Sequence, residues 1–300
     1  MPESKNENPL LKHFEQQERK RLSFLVAEGS KAKESRPMKN QDALMIMPEQ
    51  GFFAVFDGVG GSKDSEEGSL LAASVMQRLG ADQETWLPLD KAQEFLKIIN
   101  NNSNRAILDL HISGEGPQTT ATYAKFAINE KGESCVVVGN IGDSRAYLLR
   151  DRKLVRLTQD DDAFDFYGEP EVVESLRKKI DTAQRPDLDM KEWRLFGMRH
   201  VVSELLGVEN NHMRLTIQPV QEGDVIFLAT DGITDPLTTP EMESILSSSL
   251  TNSQKIERLM EQSERVNKTP GAMRAKEGGD DMTAILITLR AADIIPESAS

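Results

Sequence analysis

The sequence predicts an α+β fold in which antiparallel sheets stack on each other and helices lie outside them. Two observations support this fold class. Short apolar runs bounded by Gly, Asp or Asn occur in clusters, and these clusters do not alternate strictly with the few helical patterns. Strict alternation is typical of a doubly wound parallel sheet, whereas clustered strands favour antiparallel pairing.

The predicted strands are short and apolar, and they lie at 51–56, 134–139, 145–149, 224–229 and 283–289. Apolar residues that recur every three or four positions predict helices at 68–80, 89–113 and 239–267. The last two helices begin with favourable capping chemistry. In Thr239-Pro240-Glu241, for example, Pro occupies the first helical position.

The chain is predicted to carry one domain, over residues 21–292, between a charged arm at 1–20 and a short tail at 293–300. Residues 160–200 are polar and interrupt the strand pattern, so we expect them to form a flap outside the sheets, closed by a helical segment at 187–197. The acidic run Asp160-Asp161-Asp162 in this flap is expected to be solvated.

Composition and charge narrow the classes of function. Apolar residues make up 38% and charged residues 28% of the chain, which is typical of a soluble globular protein. The net charge of −13 argues against nucleic acid or an anionic membrane as the main partner, because both attract basic surfaces. Neither a leader segment nor an apolar run of about 18 residues is evident, so the predicted location is cytoplasmic.

Cysteine and histidine offer no metal or catalytic pattern. The single cysteine, Cys135, excludes an intramolecular disulfide, and its apolar surroundings predict a buried structural thiol. His13, His111, His200 and His212 show no metal-ligand spacing, so they are interpreted as surface or hydrogen-bonded histidines.

Aspartates beside glycine at strand ends form the one recurrent pattern. Asp57-Gly58 and Asp231-Gly232 follow apolar strands, and Asp143 and Asp280 each follow a glycine and precede a strand. A single such pair usually marks a turn, but four on strongly apolar strands are much less expected by chance. Rigid strand ends fix carboxylates accurately, and hard divalent cations prefer oxygen ligands. The pattern therefore predicts a Mg²⁺ or Mn²⁺ site.

Seven ordered motifs resemble the metal-dependent protein phosphatases of the type 2C (PPM) family, in its bacterial form, from about residue 35 to residue 289. They are Asn40-Gln41-Asp42-Ala43, Phe56-Asp57-Gly58-Val59-Gly60-Gly61, Thr119-Thr120-Ala121, Gly142-Asp143-Ser144-Arg145, Leu157-Thr158-Gln159-Asp160, Ala229-Thr230-Asp231-Gly232-Ile233-Thr234-Asp235 and Asp280-Asp281-Met282-Thr283. Each motif alone is weak, but their order and spacing are specific. The resemblance implies a central antiparallel β-sandwich flanked by helices, in four layers α-β-β-α.

The resemblance also implies roles for individual residues. Two or three Mn²⁺ or Mg²⁺ ions would be held by Asp57 as a bridge, the Gly58 carbonyl, Asp231 and Asp280, with Asp143 as a ligand of a looser third ion. Gln41 and Asp42 would orient metal-bound water. Phosphoserine and phosphothreonine in proteins would be the substrates, within the pathway of a cognate kinase. Phosphoryl transfer depends mainly on positioning and charge neutralisation, so no protein nucleophile is required.

Three positions depart from the family pattern. The slot of the usual phosphate-binding arginine holds Pro37, and Arg36 lies one residue further away, with Lys39 as the alternative phosphate ligand. Val59 replaces a histidine that is the proposed general acid in animal and plant relatives and is commonly absent from bacterial ones. Asp281 replaces an asparagine and adds charge.

Two classes of function therefore stay open at this point. The first is an active serine/threonine phosphatase, whose substrate could also be a bacterial regulatory protein in a partner-switching circuit. The second is a pseudophosphatase that keeps the fold as a binding or regulatory module. Asp57, Asp231 and Asp280 are all present, which counts against the second class, and the displaced arginine is the one feature in its favour.

Overall fold

The computed structural model describes residues 22–59, 65–112, 116–276 and 278–291. The predicted arm at 1–20 and tail at 293–300 lie outside these residues, so the proposed domain boundaries stay a prediction. The described strands are β1 (Leu22–Lys31), β2 (Asp42–Met47), β3 (Phe52–Asp57), β4 (Leu87–Pro88), β5 (Ala121–Ile128), β6 (Ser134–Ile141), β7 (Arg145–Arg150), β8 (Lys153–Arg156), β9 (Arg214–Pro219), β10 (Val225–Ala229) and β11 (Met282–Ala291).

These strands form two sheets. One sheet has five strands in the order β1-β11-β10-β7-β8, and the other has the order β2-β3-β5-β6-β9 with β4 beside β5. Every pair is antiparallel except the two-residue pairing of β4 with β5. The predicted antiparallel α+β architecture is therefore confirmed.

Side-chain alternation along the strands creates the layers. On β3, Phe53 and Val55 pack between the two sheets, whereas Phe52, Ala54 and Phe56 face the helices outside the six-stranded sheet. Strand β10 of the other sheet alternates in the same way. Because successive residues of a strand point to opposite faces, an apolar run without polar interruption supplies both a sheet–sheet core and a helix–sheet core. The result is the expected four layers.

The described helices are α1 (Ser65–Gly80), α2 (Leu89–Leu108), α3 (Phe164–Tyr167), α4 (Pro170–Thr182), α5 (Met190–Phe196), α6 (Asp231–Thr234), α7 (Thr239–Leu246) and α8 (Asn252–Asn267). Buried residues of α1 and α2 pack on the six-stranded sheet, and those of α7 and α8 pack on the five-stranded sheet.

Two helix predictions were wrong in detail. The helix predicted at 89–113 ends at Leu108, and its N-cap Pro88 provides no side-chain cap. The helix predicted at 239–267 is two helices, because Thr251 opens a second one by forming a capping box with Gln254. The first of the two is capped by Thr238 and begins at Thr239, so Pro240 lies at the second helical position and not at the predicted first one.

The segment 160–200 carries α3, α4 and α5 around a small apolar cluster of its own, which includes Phe164, Leu176 and Leu195. Helix α5 occupies the centre of the segment predicted at 187–197. The prediction that Asp160, Asp161 and Asp162 are solvated was wrong, because their exposed fractions are 5%, 1% and 3%. Each is paired with a guanidinium, which makes the burial of a carboxylate tolerable.

Candidate metal centre

The ends of strands from both sheets bring the predicted aspartates together. Asp42 at the start of β2 lies opposite Asp57 at the end of β3. Asp231 begins α6 directly after β10, and Asp280 precedes β11, the neighbour of β10. The hydroxyl of Thr230 donates a 2.8 Å hydrogen bond to Asp42 Oδ2, which joins the two sheets at this edge.

The glycines of the two Asp-Gly pairs are required by close backbone packing. A Cβ on Gly58 would lie 2.5 Å from the carbonyl oxygen of Ser65. On Gly232 it would lie 1.9 Å from the carbonyl oxygen of Asp281. Any other residue would push these segments apart, so the glycines let the backbone beside each carboxylate approach the neighbouring loop.

Three of the aspartates that the strand ends bring together have raised pKa values, because they are buried and their negative charges repel each other. Burial raises the pKa of Asp42 well above its ordinary value, and the neighbouring charges of Asp280 and Asp231 raise it further. The pKa of Asp57 is raised by desolvation and then by Asp231 and Asp42. Burial and Asp231 raise the pKa of Asp280 to about 6. These shifts share one cause, an excess of acid in a desolvated space.

Asp143 belongs to the same electrostatic group. It lies in the turn between β6 and β7, after Gly142, whose φ of +93° suits glycine. The backbone N–H of Gly142 donates to Asp161 Oδ2 over 3.0 Å, which holds the turn against the flap. Burial raises the pKa of Asp143 well above its ordinary value, and the charge of Asp231 raises it further.

One cation touches the cluster among the residues that the structure describes. Lys276 Nζ donates to Asp231 Oδ2 over 2.6 Å and also to Asp280 Oδ2. Asp231 Oδ1 and Asp42 Oδ1 are buried and have no hydrogen-bond partner. A set of carboxylate oxygens with unused acceptor capacity suits a hard divalent cation such as Mg²⁺ or Mn²⁺.

Arg36 lies beside this cluster in an ion pair with Asp281. Its Nη2 is 2.8 Å from Asp281 Oδ2, and the same oxygen accepts a 2.8 Å hydrogen bond from the backbone N–H of Gln41. Asp281 is only 2% exposed, so it anchors the loop that carries Arg36 and Gln41. Lys39, the alternative phosphate ligand, has its Nζ 3.9 Å from Glu66 Oε2.

The motif order and the four layers agree with comparison to known proteins. The sequence profile of the protein phosphatase 2C family matches residues 31–276, which is more than half of the chain. The chain belongs to the protein phosphatase 2C family. As a member it is a metal-dependent protein serine/threonine phosphatase that uses Mn²⁺ or Mg²⁺ and acts on phosphoproteins.

Bacterial relatives are among the similar proteins. The serine/threonine phosphatase stp of Listeria monocytogenes is 28% identical over 216 residues, which cover 69% of this chain and 75% of the relative. The serine/threonine protein phosphatase PstP of Mycobacterium tuberculosis is 28% identical over 185 residues, or 62% of this chain and 32% of that protein.

Solved structures show the same fold. The crystal structure of PstP/Ppp from Mycobacterium tuberculosis superposes with a TM-score of 0.69 at 24% identity, covering 90% of this chain and all of that one. The catalytic domain of PstP in complex with two manganese ions gives a TM-score of 0.68 at 23% identity. At these identities the likeness supports the fold alone.

Sequence reasoning missed two features of this phosphatase site. His200 Nδ1 lies 3.1 Å from Asp235 Oδ2, and one ligand atom each of His200, Asp231 and Asp235 lie within 4.8 Å of one another, close enough to share a metal ion. Histidine spacing along the chain could not reveal this group, because His200 comes from the flap. Lys276 was also missed, although its position four residues before Asp280 was a signal.

A second group of charged side chains lies beside the aspartates described above and is also largely buried. Arg145 donates to Asp160 Oδ2 over 2.8 Å, to Asp235 Oδ1 over 3.2 Å and to the Thr234 carbonyl over 2.9 Å. Arg156 is a further partner of Asp160. Although burial opposes it, the hydrogen bond from His200 and the charge of Arg145 lower the pKa of Asp235. We call these five side chains, with Asp162 and its partner Arg177, the paired network.

None of the described helices is both long and apolar enough to span a bilayer. Cys135 is buried, as predicted.

Proposed function

We propose that this phosphatase hydrolyses phosphoserine and phosphothreonine at the cluster of Asp42, Asp57, Asp143, Asp231 and Asp280, which we call the acidic cluster. The observation that carries this proposal is that these five carboxylates interact electrostatically at one edge of the sheets, where Lys276 contacts only Asp231 and Asp280 of the five. Burial and then the repulsion of neighbouring carboxylates raise the pKa values of Asp42, Asp57 and Asp143, and bound divalent ions would supply compensating positive charge.

The proposed ligands follow the position of each group. Two ions would be held by Asp57, the Gly58 carbonyl, Asp231 and Asp280. Asp143 would serve a third ion. The donor set fits hard cations, because Asp231 Oδ1 is buried without a partner. When bound, the ions supply an activated water and neutralise the phosphoryl oxygens.

The protein's own contribution is positioning. Asp42 and Gln41 are proposed to hold water, and Asp42 Oδ1 is a buried acceptor with no partner, so it can take a hydrogen bond from that water. Thr230 fixes the carboxylate by binding its other oxygen. The backbone N–H of Gln41 donates to Asp281 Oδ2, which fixes the position of this residue in the chain.

Arg36 is retained as the proposed phosphate ligand, with Lys39 as the alternative. The Arg36 side chain is 27% exposed, and its ion pair with Asp281 holds it within the loop that borders the cluster. Arg36→Ala should raise KM for a phosphopeptide with a smaller change in kcat. An unchanged KM in Arg36→Ala together with a raised KM in Lys39→Ala would transfer the role to Lys39.

No observation favours the pseudophosphatase. That hypothesis expected a lost metal aspartate, and Asp57, Asp231 and Asp280 are present and lie at one site. A cognate kinase pathway, a signalling role and a cytoplasmic location remain proposals that rest on the phosphatase family and on the sequence.

The decisive experiment is hydrolysis of a phosphothreonine peptide with added Mn²⁺ and after EDTA treatment. Wild type should be active only with the metal, and Asp231→Asn should be inactive in both conditions. Asp82→Asn, which removes one exposed carboxylate far from the cluster in sequence, is the matched control and should behave as wild type. Full turnover after exhaustive chelation would refute the metal assignment.

A further inference from the structure

Lys276 places its ammonium group between two of the carboxylates proposed as metal ligands. Nζ donates to Asp231 Oδ2 over 2.6 Å and to Asp280 Oδ2. The backbone of Lys276 is held in place as well, because its N–H donates to Asn267 Oδ1 over 2.9 Å and its carbonyl accepts from Gly279. The lysine is therefore an anchored component of the site.

The lysine compensates charge in this part of the acidic cluster. Neither Asp231 nor Asp280 has another ion-pair partner among the described residues. Burial opposes the charge of Lys276, but Asp231 and Asp280 outweigh it and raise its pKa well above the ordinary value. The ammonium is thus held as a cation where the protein would otherwise have only negative charge.

A metal ion bound to Asp231 and Asp280 would occupy the space that the Lys276 ammonium group now occupies. It would also neutralise the same two carboxylates. Carboxylate oxygens bind Mg²⁺ at about 2.0–2.1 Å, so an ion that used the two oxygens now facing Nζ would lie against the ammonium. Two like charges at such a distance repel strongly in a desolvated site. The Lys276 side chain is 27% exposed, which gives it a route toward solvent.

We propose that Lys276 is an internal cation that competes with the metal ion of Asp231 and Asp280 and so sets the metal affinity of this phosphatase. This inference rests on the proposed metal centre. Metal binding is then an exchange of one cation for another, in which the Lys276 ammonium group leaves Asp231 and Asp280 as the metal ion binds. The cost of displacing the lysine then lowers the affinity for the ion.

One alternative arrangement predicts the opposite effect. If the ion binds Asp231 through Oδ1, which has no partner, Lys276 could stay on Oδ2 and hold the carboxylate in its binding orientation. Removing the lysine would then weaken metal binding, as loss of an orienting partner usually does. The direction of the change in affinity therefore decides between competitor and support.

The test is Mn²⁺ binding to the full chain by isothermal titration and by electron paramagnetic resonance of free Mn²⁺. Lys276→Met keeps the length of the side chain and removes its charge, so Mn²⁺ should bind about 5- to 150-fold more tightly than to wild type. Lys276→Arg keeps the charge and should stay within a few-fold of wild type. Lys268→Met removes a 57% exposed lysine paired with Glu34 and is the matched control, with no expected change.

Thermal denaturation supplies a second readout. Without metal, Lys276→Met should melt below wild type, because Asp231 and Asp280 lose their cation. With Mn²⁺ present the difference should shrink or reverse. If the metal-free variant does not fold, it can be purified with Mn²⁺ and its affinity measured by competition with a chelator.

The binding experiment distinguishes failure of the competitor role of Lys276 from failure of the proposed metal centre. Equal or weaker Mn²⁺ binding by Lys276→Met overturns the competitor role while leaving the metal centre intact. Absence of Mn²⁺ binding in both wild type and Lys276→Met, or binding that survives Asp231→Asn unchanged, overturns the metal centre itself.

Discussion

The acidic cluster and the paired network are two buried groups of charged side chains that lie side by side and share few properties. In the acidic cluster, Lys276 contacts two of the five carboxylates, Asp231 and Asp280, and is the one cation in contact with the cluster among the described residues. In the paired network, every carboxylate has at least one guanidinium partner, and Asp160 has both Arg145 and Arg156. Ligand atoms of Asp235 and His200 in the paired network lie within 4.8 Å of one from Asp231 in the acidic cluster, so the two groups meet there.

The difference between the two groups distinguishes carboxylates that have a structural role in this fold from carboxylates that bind a ligand. A buried carboxylate with a guanidinium partner completes its own charge balance and needs no ligand. A buried carboxylate without one is destabilising until a cation arrives, and it marks a site that the protein maintains for binding. Both groups come from Asp-rich motifs, so the distinction lies in their neighbours and not in residue type.

The largest expected effect is on activity in the acidic cluster. Asp57→Asn should lower kcat/KM for a phosphothreonine peptide by at least about 1,000-fold, or about 4 kcal/mol, because it removes a proposed metal-binding charge. The same change should stabilise the metal-free protein by about 1 kcal/mol in urea denaturation, since it relieves repulsion with Asp231 and Asp42. A destabilised metal-free variant would contradict the repulsion argument.

The paired network should respond in the opposite way. Arg145→Met leaves Asp160 and Asp235 without a main partner and should lower the free energy of unfolding by about 3–5 kcal/mol. Added Mn²⁺ should not restore the difference. The control is Arg105→Met, which breaks an exposed pair with Asp109 and should cost under about 1 kcal/mol. If Arg145→Met and Arg105→Met lowered the free energy of unfolding by similarly small amounts, the distinction between the paired network and the acidic cluster would fail.

Metal itself should stabilise the protein through the acidic cluster. At a free Mn²⁺ concentration 100 times its Kd, the folded state gains about 2.7 kcal/mol over the EDTA-treated protein, seen as a higher Tm. Asp231→Asn should lose most of this gain, and Arg145→Met should keep it. If Asp231→Asn showed the full shift, Mn²⁺ would be binding elsewhere.

The smallest effect is a pH dependence within the paired network. Burial raises the pKa of Asp162 to about 6 despite its ion pair with Arg177. The native state therefore binds more protons than the unfolded state between about pH 4 and pH 6, so this contribution to stability is present at low pH and lost as pH rises through 6. Asp162→Asn keeps the hydrogen-bond acceptor for Phe164 and cannot titrate.

Denaturant midpoints at several pH values test this shift. The stability of Asp162→Asn relative to wild type should increase by about 1 kcal/mol from pH 4 to pH 7, after allowance for solvent screening. A difference that does not vary with pH would mean that Arg177 holds Asp162 ionised throughout.

The predicted strands have continuous apolar runs, whereas the buried central strand β5 was not predicted, because Thr122 and Lys125 interrupt its run. Strand β3 is buried on both faces, so its run was visible in the sequence. Strand β1 was not predicted, because it alternates half-buried and exposed residues and includes Gly29, which packs against Ile256 and Met260 of α8. Strand β9 was not predicted either, because its residues are half-buried or exposed and it has no continuous apolar run. Edge strands obtain their stability from pairing, which local sequence does not report.

The site divides in a similar way. Asp57 and Asp231 stand beside glycine at strand ends, so pattern alone suggested their role. His200 acts through a contact formed by the tertiary fold, and no local motif signals it, whereas the only local signal for Lys276 is its position four residues before Asp280. The burial of Asp160 was not predicted either, although one of its arginine partners, Arg156, lies only four residues before it.

The position of β11 has a consequence for biosynthesis. Although β11 lies nearest the C-terminal side of the described chain, it is inserted between β1 and β10 and pairs with β1 over ten residues, from Leu22↔Ala291 to Lys31↔Met282. Such long-range pairing forms slowly and only after both strands are available. The five-stranded sheet therefore depends on β11, and we expect Asp280, which precedes β11, to take its place near Asp231 only once that strand has paired. A chain that ends before β11 is expected to have no phosphatase activity.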